Sequence, residues 1–277
     1  MIKTKKVAFI GGGHMATAII QGLLAAGMPA NHILVCAPSA ATRQRLSDRY
    51  QVATSACNCG AVAFANAIIV AVKPQLVAQV CGELAAVRLA DHTVISIAAG
   101  VQHQQLGQWL GDEQRVICAM PNLPTAMQQG MTGLYCSAAT AAASQQLAEQ
   151  LFDAVGEAIW LSDERDMAAV VAAAGSAPAY FFRFMEAMTK AAVQQGLSAQ
   201  EASRCVRQSA IGAIAMASES QVDLACLRER VTSPNGSTAA ALDAFDAMDM
   251  DQVVAMAMAA AATRTRLFGQ SDNAFCE

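Results

Sequence analysis

Charge is scarce in this chain. Only 14% of its 277 residues are Asp, Glu, Lys or Arg, while 55% are apolar. Eighteen basic and 22 acidic residues leave a net charge of −4. A disordered chain needs the reverse, little hydrophobicity and much charge. A nucleic-acid binder shows a basic surplus, which the acidic balance excludes. A monomer of this size needs a well-charged surface to stay soluble. Either the surface is unusually neutral, or another subunit covers part of it.

Long, unbroken apolar helices are also missing. The charge-free helix-like runs 167–182 and 252–263 fall short of the roughly 20 apolar residues that a membrane-spanning helix needs. The first contains Gly175, Ser176 and Pro178. The opening residues pass straight into a strand-like run without a cleavable signal pattern, so a cytoplasmic protein is expected. Cysteine is present but unpatterned. Nine residues (Cys36, Cys57, Cys59, Cys81, Cys118, Cys136, Cys205, Cys226 and Cys276) are odd in number and irregular in spacing, which fits reduced thiols. Cys57 and Cys59 have no second pair at zinc spacing. His14, His32, His92 and His103 form no metal-like cluster, and no metal is expected.

What is present has a clear order. Short apolar runs at 7–10, 33–36, 67–72, 93–97, 115–119, 133–136 and 158–161 read as buried strands. Helix-like stretches lie between them, at 15–26, 75–87 and 141–155. Apolar strands alternating with helices predict a parallel sheet covered on both faces. After about residue 162 only helices are expected, over 167–173, 179–195, 199–218 and 250–267. Gly196 ends one of them, and Ser198 with Glu201 forms a capping box for the next, with Leu197 as its staple residue. The plan is an α/β fold. Residues 1–163 form a Rossmann-type, doubly wound, mainly parallel domain, and residues 164–277 an all-α domain.

Gly11-Gly12-Gly13-His14-Met15-Ala16 follows the first strand and opens a helix. Gly11 permits a tight turn, Gly13 lets the backbone approach a pyrophosphate, and Ala16 packs the helix close to the strand. The free amides of the helix start suit phosphates. A dinucleotide is therefore expected. The first 47 residues carry five bases (Lys3, Lys5, Lys6, Arg43 and Arg45) and no acid. An acid about 20 residues after the glycines would mark NAD. Its absence favours NADPH, with NADH possible. Ser39 can donate to a ribose 2′-phosphate, and Arg43 either pairs with it or lies on a solvated helix face.

At this point the sequence resembles the pyrroline-5-carboxylate reductases over almost its whole length. The resemblance rests on the run 7–16, on Ala71-Val72-Lys73-Pro74, and on 96–100 and 120–124. It rests also on Gly175-Ser176 with 178–180, and above all on Thr232-Ser233-Pro234-Asn235-Gly236-Ser237-Thr238. It implies a Rossmann domain followed by a helical dimerisation domain. It implies NADPH-dependent reduction of 1-pyrroline-5-carboxylate to L-proline, the last step of proline biosynthesis. The alternatives are a reductase of another cyclic imine and a non-catalytic NADPH-binding paralogue. A β-hydroxyacid dehydrogenase is disfavoured, because Lys190 is the only lysine after Lys73.

By the same resemblance Ile10, Gly11, Gly12, Gly13, His14, Met15, Asn58, Ala71, Val72, Lys73 and Pro74 line the cofactor. Ser39 lies at the 2′-phosphate, and Ile97, Ala98 and Ala99 approach the nicotinamide side. Ser233, Gly236, Ser237 and Thr238 hold the substrate. The substrate is a cyclic imine with a carboxylate, and a helix start after Gly236 offers amides to that carboxylate. Thr238 is the catalytic candidate, orienting the imine nitrogen. Lys73 is either near a phosphate or a solvated strand-end lysine. Asn122 either binds ligand or stabilises a turn. The aromatics Tyr180, Phe181, Phe182 and Phe184 read as core or subunit interface. Four positions depart from the family pattern, with Ala174 for Ser, Asp223-Leu224 for His-Pro, and Asn235 for a second Gly. The implied assembly is a homodimer, or a larger oligomer of dimers, with no nucleic-acid or membrane partner. The charge-poor stretch 166–219, with eight charged residues in 54, is the expected interface.

Overall fold

A computed structural model describes residues 2–87, 89 and 92–271. Eight strands form one sheet: β1 Val7–Ile10, β2 Ile33–Cys36, β3 Ala53–Ser55, β4 Ala67–Val70, β5 Thr93–Ser96, β6 Val116–Met120, β7 Gly130–Tyr135 and β8 Gly156–Trp160. Their order is β3-β2-β1-β4-β5-β6-β7-β8. Every neighbouring pair is parallel except β6 and β7. The covering helices are α1 His14–Ala25, α2 Ala40–Tyr50, α3 Cys59–Phe64, α4 Val77–Ala85, α5 His103–Leu110 and α6 Ala142–Asp153. The remaining helices are α7 Met167–Val170, α8 Ala177–Gln194, α9 Ala199–Glu219, α10 Leu224–Arg230, α11 Ser237–Ala247 and α12 Met250–Ser271.

The apolar strands behave as their sequence requires. β1, β2, β4 and β5 are buried along their whole length, as parallel strands covered on two faces must be. Alternate residues feed two cores. Val7, Phe9, Ile33, Val35, Ile69 and Ile95 pack on the α1 and α6 side. Ala8, Ile10, Ile68, Val70 and Val94 pack on the α4 and α5 side.

Two features of the sheet differ from the sequence reading. β3 carries Ala53, Thr54 and Ser55, which are exposed or half-buried, so it lacks the apolar run that marks the other inner strands. It forms because it is an edge strand pairing β2 on one side only. β7 runs antiparallel to β6, reached by the short turn around Leu123–Met127, too short for a helical crossover. Asn122 fixes that turn. Its side chain is buried, its Nδ2 donates to Ala174 O at 3.0 Å, and its Oδ1 accepts from Met131 N at 2.9 Å. Asn122 is therefore a turn residue engaged at both ends of its amide.

The chain divides into two compact units, residues 1–176 with 261–277, and residues 177–260. The boundary expected from the last strand lay at 163. Contacts keep α7 and a π-helical turn, Val171–Gly175, with the sheet unit. The expected helix over 167–173 is thus divided into those two pieces. The helical stretch Glu164–Gln194 is long and apolar enough to cross a membrane by length and composition. The sequence reading counted only charge-free runs, whereas this stretch passes the test with charged residues included.

In the second unit Gly196 (φ +106°) terminates α8, and Ser198 with Glu201 makes both capping-box bonds at the start of α9. α10 was not expected. Asp223 creates it by capping Cys226 N at 2.8 Å, which also holds the Asp223 carboxyl below its usual range. Among the described residues of 177–260 only Ala202 and Val206 are buried. Phe181 and Phe182 stand 60% and 65% exposed, so in the single chain they are neither core nor covered. All eight described cysteines are free thiols, and Cys276 lies outside the described residues.

Gly22 tests how closely α1 is seated. A Cβ there would strike the Thr125 carbonyl and press on Val155. Gly22→Ala should lower stability by about 1–3 kcal/mol, the usual cost of overpacking. Chemical denaturation should read this as a lower midpoint with an unchanged slope.

Candidate functional site

The carboxyl ends of the central strands are tied together by backbone alone. Gly11 N donates to Cys36 O at 2.8 Å, Ala71 N to Ile10 O at 2.8 Å, and Ile97 N to Val70 O at 3.1 Å. Gly11 turns the chain there at φ +106°. A Cβ at Gly11 would collide with the Ala71 carbonyl, so only glycine lets the loop lie against the end of β4. A Cβ at Gly12 would press on Leu46 and Thr42 of α2, at 2.7 and 2.8 Å. Gly13 differs from both, because nothing lies within 4 Å of its Cβ position. It caps α1 without any side-chain hydrogen bond, so the first amides of α1 face open space. Backbone approach and uncapped amides are the two features an anion cradle needs.

One further contact holds the cradle. Arg45 Nη2 donates to Gly12 O at 2.9 Å. Sequence reasoning counted Arg45 only as charge, since a pairing 33 residues away leaves no local signal. Ser39 caps α2 by accepting from Thr42 N at 3.3 Å, which leaves its own proton to donate. Arg43 is half-buried, and its Nη1 donates to Ala37 O and Pro38 O at 2.7 Å each. It is not a freely solvated helix arginine. Its guanidinium is fixed beside Ser39 at the end of β2. Asn58 is half-buried and donates to Glu83 at 2.8 Å, and hydrogen bonds from Gln79 first and Asn58 second hold the Glu83 carboxyl below its usual range. Lys73 is exposed, directly after Ala71 and Val72 and before Pro74.

A cavity of about 350 Å³ opens at the carboxyl ends of β5 and β6. Ser96, Ala98, Cys118, Met120, Glu164 and Met167 are among its lining. Of the three residues expected on the nicotinamide side, Ala98 lines this cavity. Ile97 faces the opposite core, and Ala99 is half-buried outside the lining. Glu164 escaped the sequence reading. Its Oε1 accepts from His103 N at 2.6 Å, capping the start of α5 from 61 residues away. Burial, with Glu164 nearby, pushes the Cys118 thiol well above its usual range. Cys118 is therefore a neutral wall of the cavity.

In the second unit, Gly236 N donates to Ser233 O at 3.0 Å and closes a turn. Asn235 occupies the left-handed region at φ +57°, which Asn tolerates better than most residues. The departure from glycine thus keeps the turn. Gly236 then caps α11 with no side-chain bond, leaving the amides of Ser237 and Thr238 uncapped. Ser233, Ser237 and Thr238 are exposed. Four expected substrate residues are therefore brought to one helix start. No group of three or more His, Cys, Asp or Glu among the described residues is arranged to hold a metal ion.

Comparison with known proteins matches both parts of the chain. Residues 164–267 match the family model for pyrroline-5-carboxylate reductase dimerisation. Residues 6–100 match that for NADP oxidoreductase, coenzyme F420-dependent. A pyrroline-5-carboxylate reductase of Pseudomonas aeruginosa is 43% identical over 264 residues, covering 95% of this chain and 97% of that protein. The solved pyrroline-5-carboxylate reductase of Coxiella burnetii is 35% identical, with a TM-score of 0.89 over 96% of this chain and 98% of that one. A Plasmodium falciparum pyrroline carboxylate reductase with NADP bound shares the fold at a TM-score of 0.85 and 24% identity, over 97% of this chain and 100% of that one. Identity at the level of the Pseudomonas protein, sustained over nearly the full length of both, makes this chain a member of the pyrroline-5-carboxylate reductase family.

Proposed function

We infer that the chain reduces 1-pyrroline-5-carboxylate to L-proline with NADPH, the last step of proline biosynthesis, in the cytoplasm. The observation that supports this best is the turn at 232–238. In a chain of this family it ends on a helix start whose first amides have no side-chain cap.

The residues present suit a dinucleotide. Gly11 and Gly13 form a cradle that a Cβ would obstruct or fill, and α1 offers its first amides to a pyrophosphate. Ile10, Gly12, His14, Met15, Asn58, Ala71, Val72, Lys73 and Pro74 line the remainder, with Ala98 toward the nicotinamide. Ser39 and the fixed Arg43 favour the 2′-phosphate of NADPH over the bare ribose of NADH, and the first 47 residues carry no acid. When bound, NADPH supplies a hydride.

The chain itself has a modest chemical task. Ser237 and Thr238 amides hold the substrate carboxylate, with Ser233 and Gly236 shaping the turn. The Thr238 hydroxyl orients the ring nitrogen. A protonated imine accepts hydride more readily, and the substrate can bring that proton from solution. Positioning then contributes more than a strong acid or base.

The second unit accounts for the scarcity of charge. Residues 177–260 bury almost nothing in one chain, while Ile211, Leu224 and Met248 are 61%, 70% and 77% exposed. We assign this apolar surface to a second copy, giving a homodimer through the helices after residue 163, from which larger assemblies of dimers can be built.

Nicotinamide absorbance tests the activity. Purified protein with pyrroline-5-carboxylate should oxidise NADPH at a lower KM than NADH. Arg43→Ala should raise the NADPH KM about tenfold or more, the scale of a lost hydrogen bond to a charged group, and leave NADH nearly unchanged. Thr238→Ala should lower kcat roughly tenfold to a hundredfold if it positions the nitrogen. Full turnover by that variant removes Thr238 from the mechanism. Light scattering at micromolar concentration should give a dimer or a multiple of one, and a monomer would contradict the assignment.

A further inference from the structure

Two arginines of α2 are held by backbone carbonyls. Arg43 Nη1 donates to Ala37 O and Pro38 O at 2.7 Å each, and Arg45 Nη2 donates to Gly12 O at 2.9 Å. A neutral carbonyl fixes a guanidinium in place but leaves its charge uncompensated. Among the described residues neither arginine pairs with an Asp or Glu, whereas Arg115, Arg165 and Arg183 each do. Asp48, the acid of α2, instead accepts from Gln44 Nε2 at 2.7 Å. Arg45 is exposed. A guanidinium carries five N–H donors in a rigid fork, so donation to Gly12 O leaves most of that fork for another acceptor.

The fold brings the two charges to one place. Residues two apart on a helix do not face each other. Arg43 turns back to the end of β2, while Arg45 reaches the glycine loop after β1. Those two destinations adjoin. Gly11 N donates to Cys36 O at 2.8 Å, and Gly12 and Ala37 are the next residues along each chain segment. The loop also rests on α2, since a Cβ at Gly12 would press on Thr42 and Leu46. Ser39 starts the same helix with a proton to donate. Two fixed like charges at one edge repel each other, and a bound dianion reverses that repulsion. The amides of α1 suit the pyrophosphate, on the side where Gly13 faces open space. The arginine pair suits a second anion of the same nucleotide.

We propose that Arg45 is a second specificity-determining residue of the nucleotide site and closes, with Arg43, a two-guanidinium clamp on the ribose 2′-phosphate of NADPH. A phosphomonoester carries about −1.5 to −2 charge at pH 7 and accepts forked N–H donation on its oxygens. The Gly12 contact aims the fork, and the phosphate takes its remaining N–H groups. NADH lacks that phosphate, so the clamp discriminates between the cofactors at their adenosine end. The assignment rests on the nucleotide reading above.

Calorimetry of the full-length protein with adenosine 2′,5′-bisphosphate and with 5′-AMP tests it, because the two probes differ only in the 2′-phosphate. The parent should bind the bisphosphate more tightly than 5′-AMP. Arg45→Gln should reduce that affinity ratio about tenfold, the scale of one lost hydrogen bond to a charged group. Arg45→Lys should recover part of the ratio, since it keeps the charge but not the fork. Combining Arg45→Gln with Arg43→Ala should bring the two affinities close to equal. If Arg45→Gln weakens both probes equally, Arg45 serves only the glycine loop and the clamp is overturned. An unchanged ratio in Arg45→Gln overturns it as well. A parent without preference for the bisphosphate overturns the NADPH reading itself, and the clamp with it.

Discussion

The nucleotide half depends on one close approach. The backbone at Gly11 passes so near the Ala71 carbonyl that no side chain fits between them. This contact sets the turn at φ +106°, aligns the ends of β1 and β4, and starts α1 with its amides uncovered. Gly12 then rests against α2, while Gly13 faces open space. The three adjacent glycines therefore have three different physical reasons: contact with a strand, contact with a helix, and room for a ligand. Arg45 reinforces the middle one through the Gly12 carbonyl.

The second unit is governed by the opposite condition, too little contact. Side-chain caps at Ser198 and Asp223 define the starts of α9 and α10, while Gly236 starts α11 without one. Caps shape helices but do not bury apolar surface, and most helical stability comes from packing an apolar face. With only Ala202 and Val206 buried between 177 and 260, the second copy proposed above is what would supply that packing. The same condition explains how a chain with 14% charged residues avoids exposing its apolar surplus.

The sequence was most legible where structure is local or periodic. The wholly buried strands, the glycine turn and the capping box at Ser198 each carry their cause within a few residues. It was least legible where the cause is remote. β3 is polar and exists because β2 offers an edge. The reversal of β7 follows from a short turn and from Asn122 reaching Ala174 and Met131. Glu164 and Arg45 act on backbone groups 61 and 33 residues away. Departures from the family pattern were visible as letters but not as physics. Asn235 supplies the left-handed residue that the turn needs, and Asp223 begins a helix. Nothing in the structure explains alanine rather than serine at Ala174.

The central claim is that the open space at Gly13 is reserved for a nucleotide pyrophosphate. NADPH titration of Gly13→Ala, followed by nicotinamide fluorescence, tests it most directly. The added methyl meets no protein atom, so thermal stability should hold within a few degrees. NADPH affinity should fall by about two orders of magnitude, the cost of crowding a close backbone–phosphate contact. A variant that binds NADPH as tightly as the parent would contradict the account, because the cradle would then lie elsewhere.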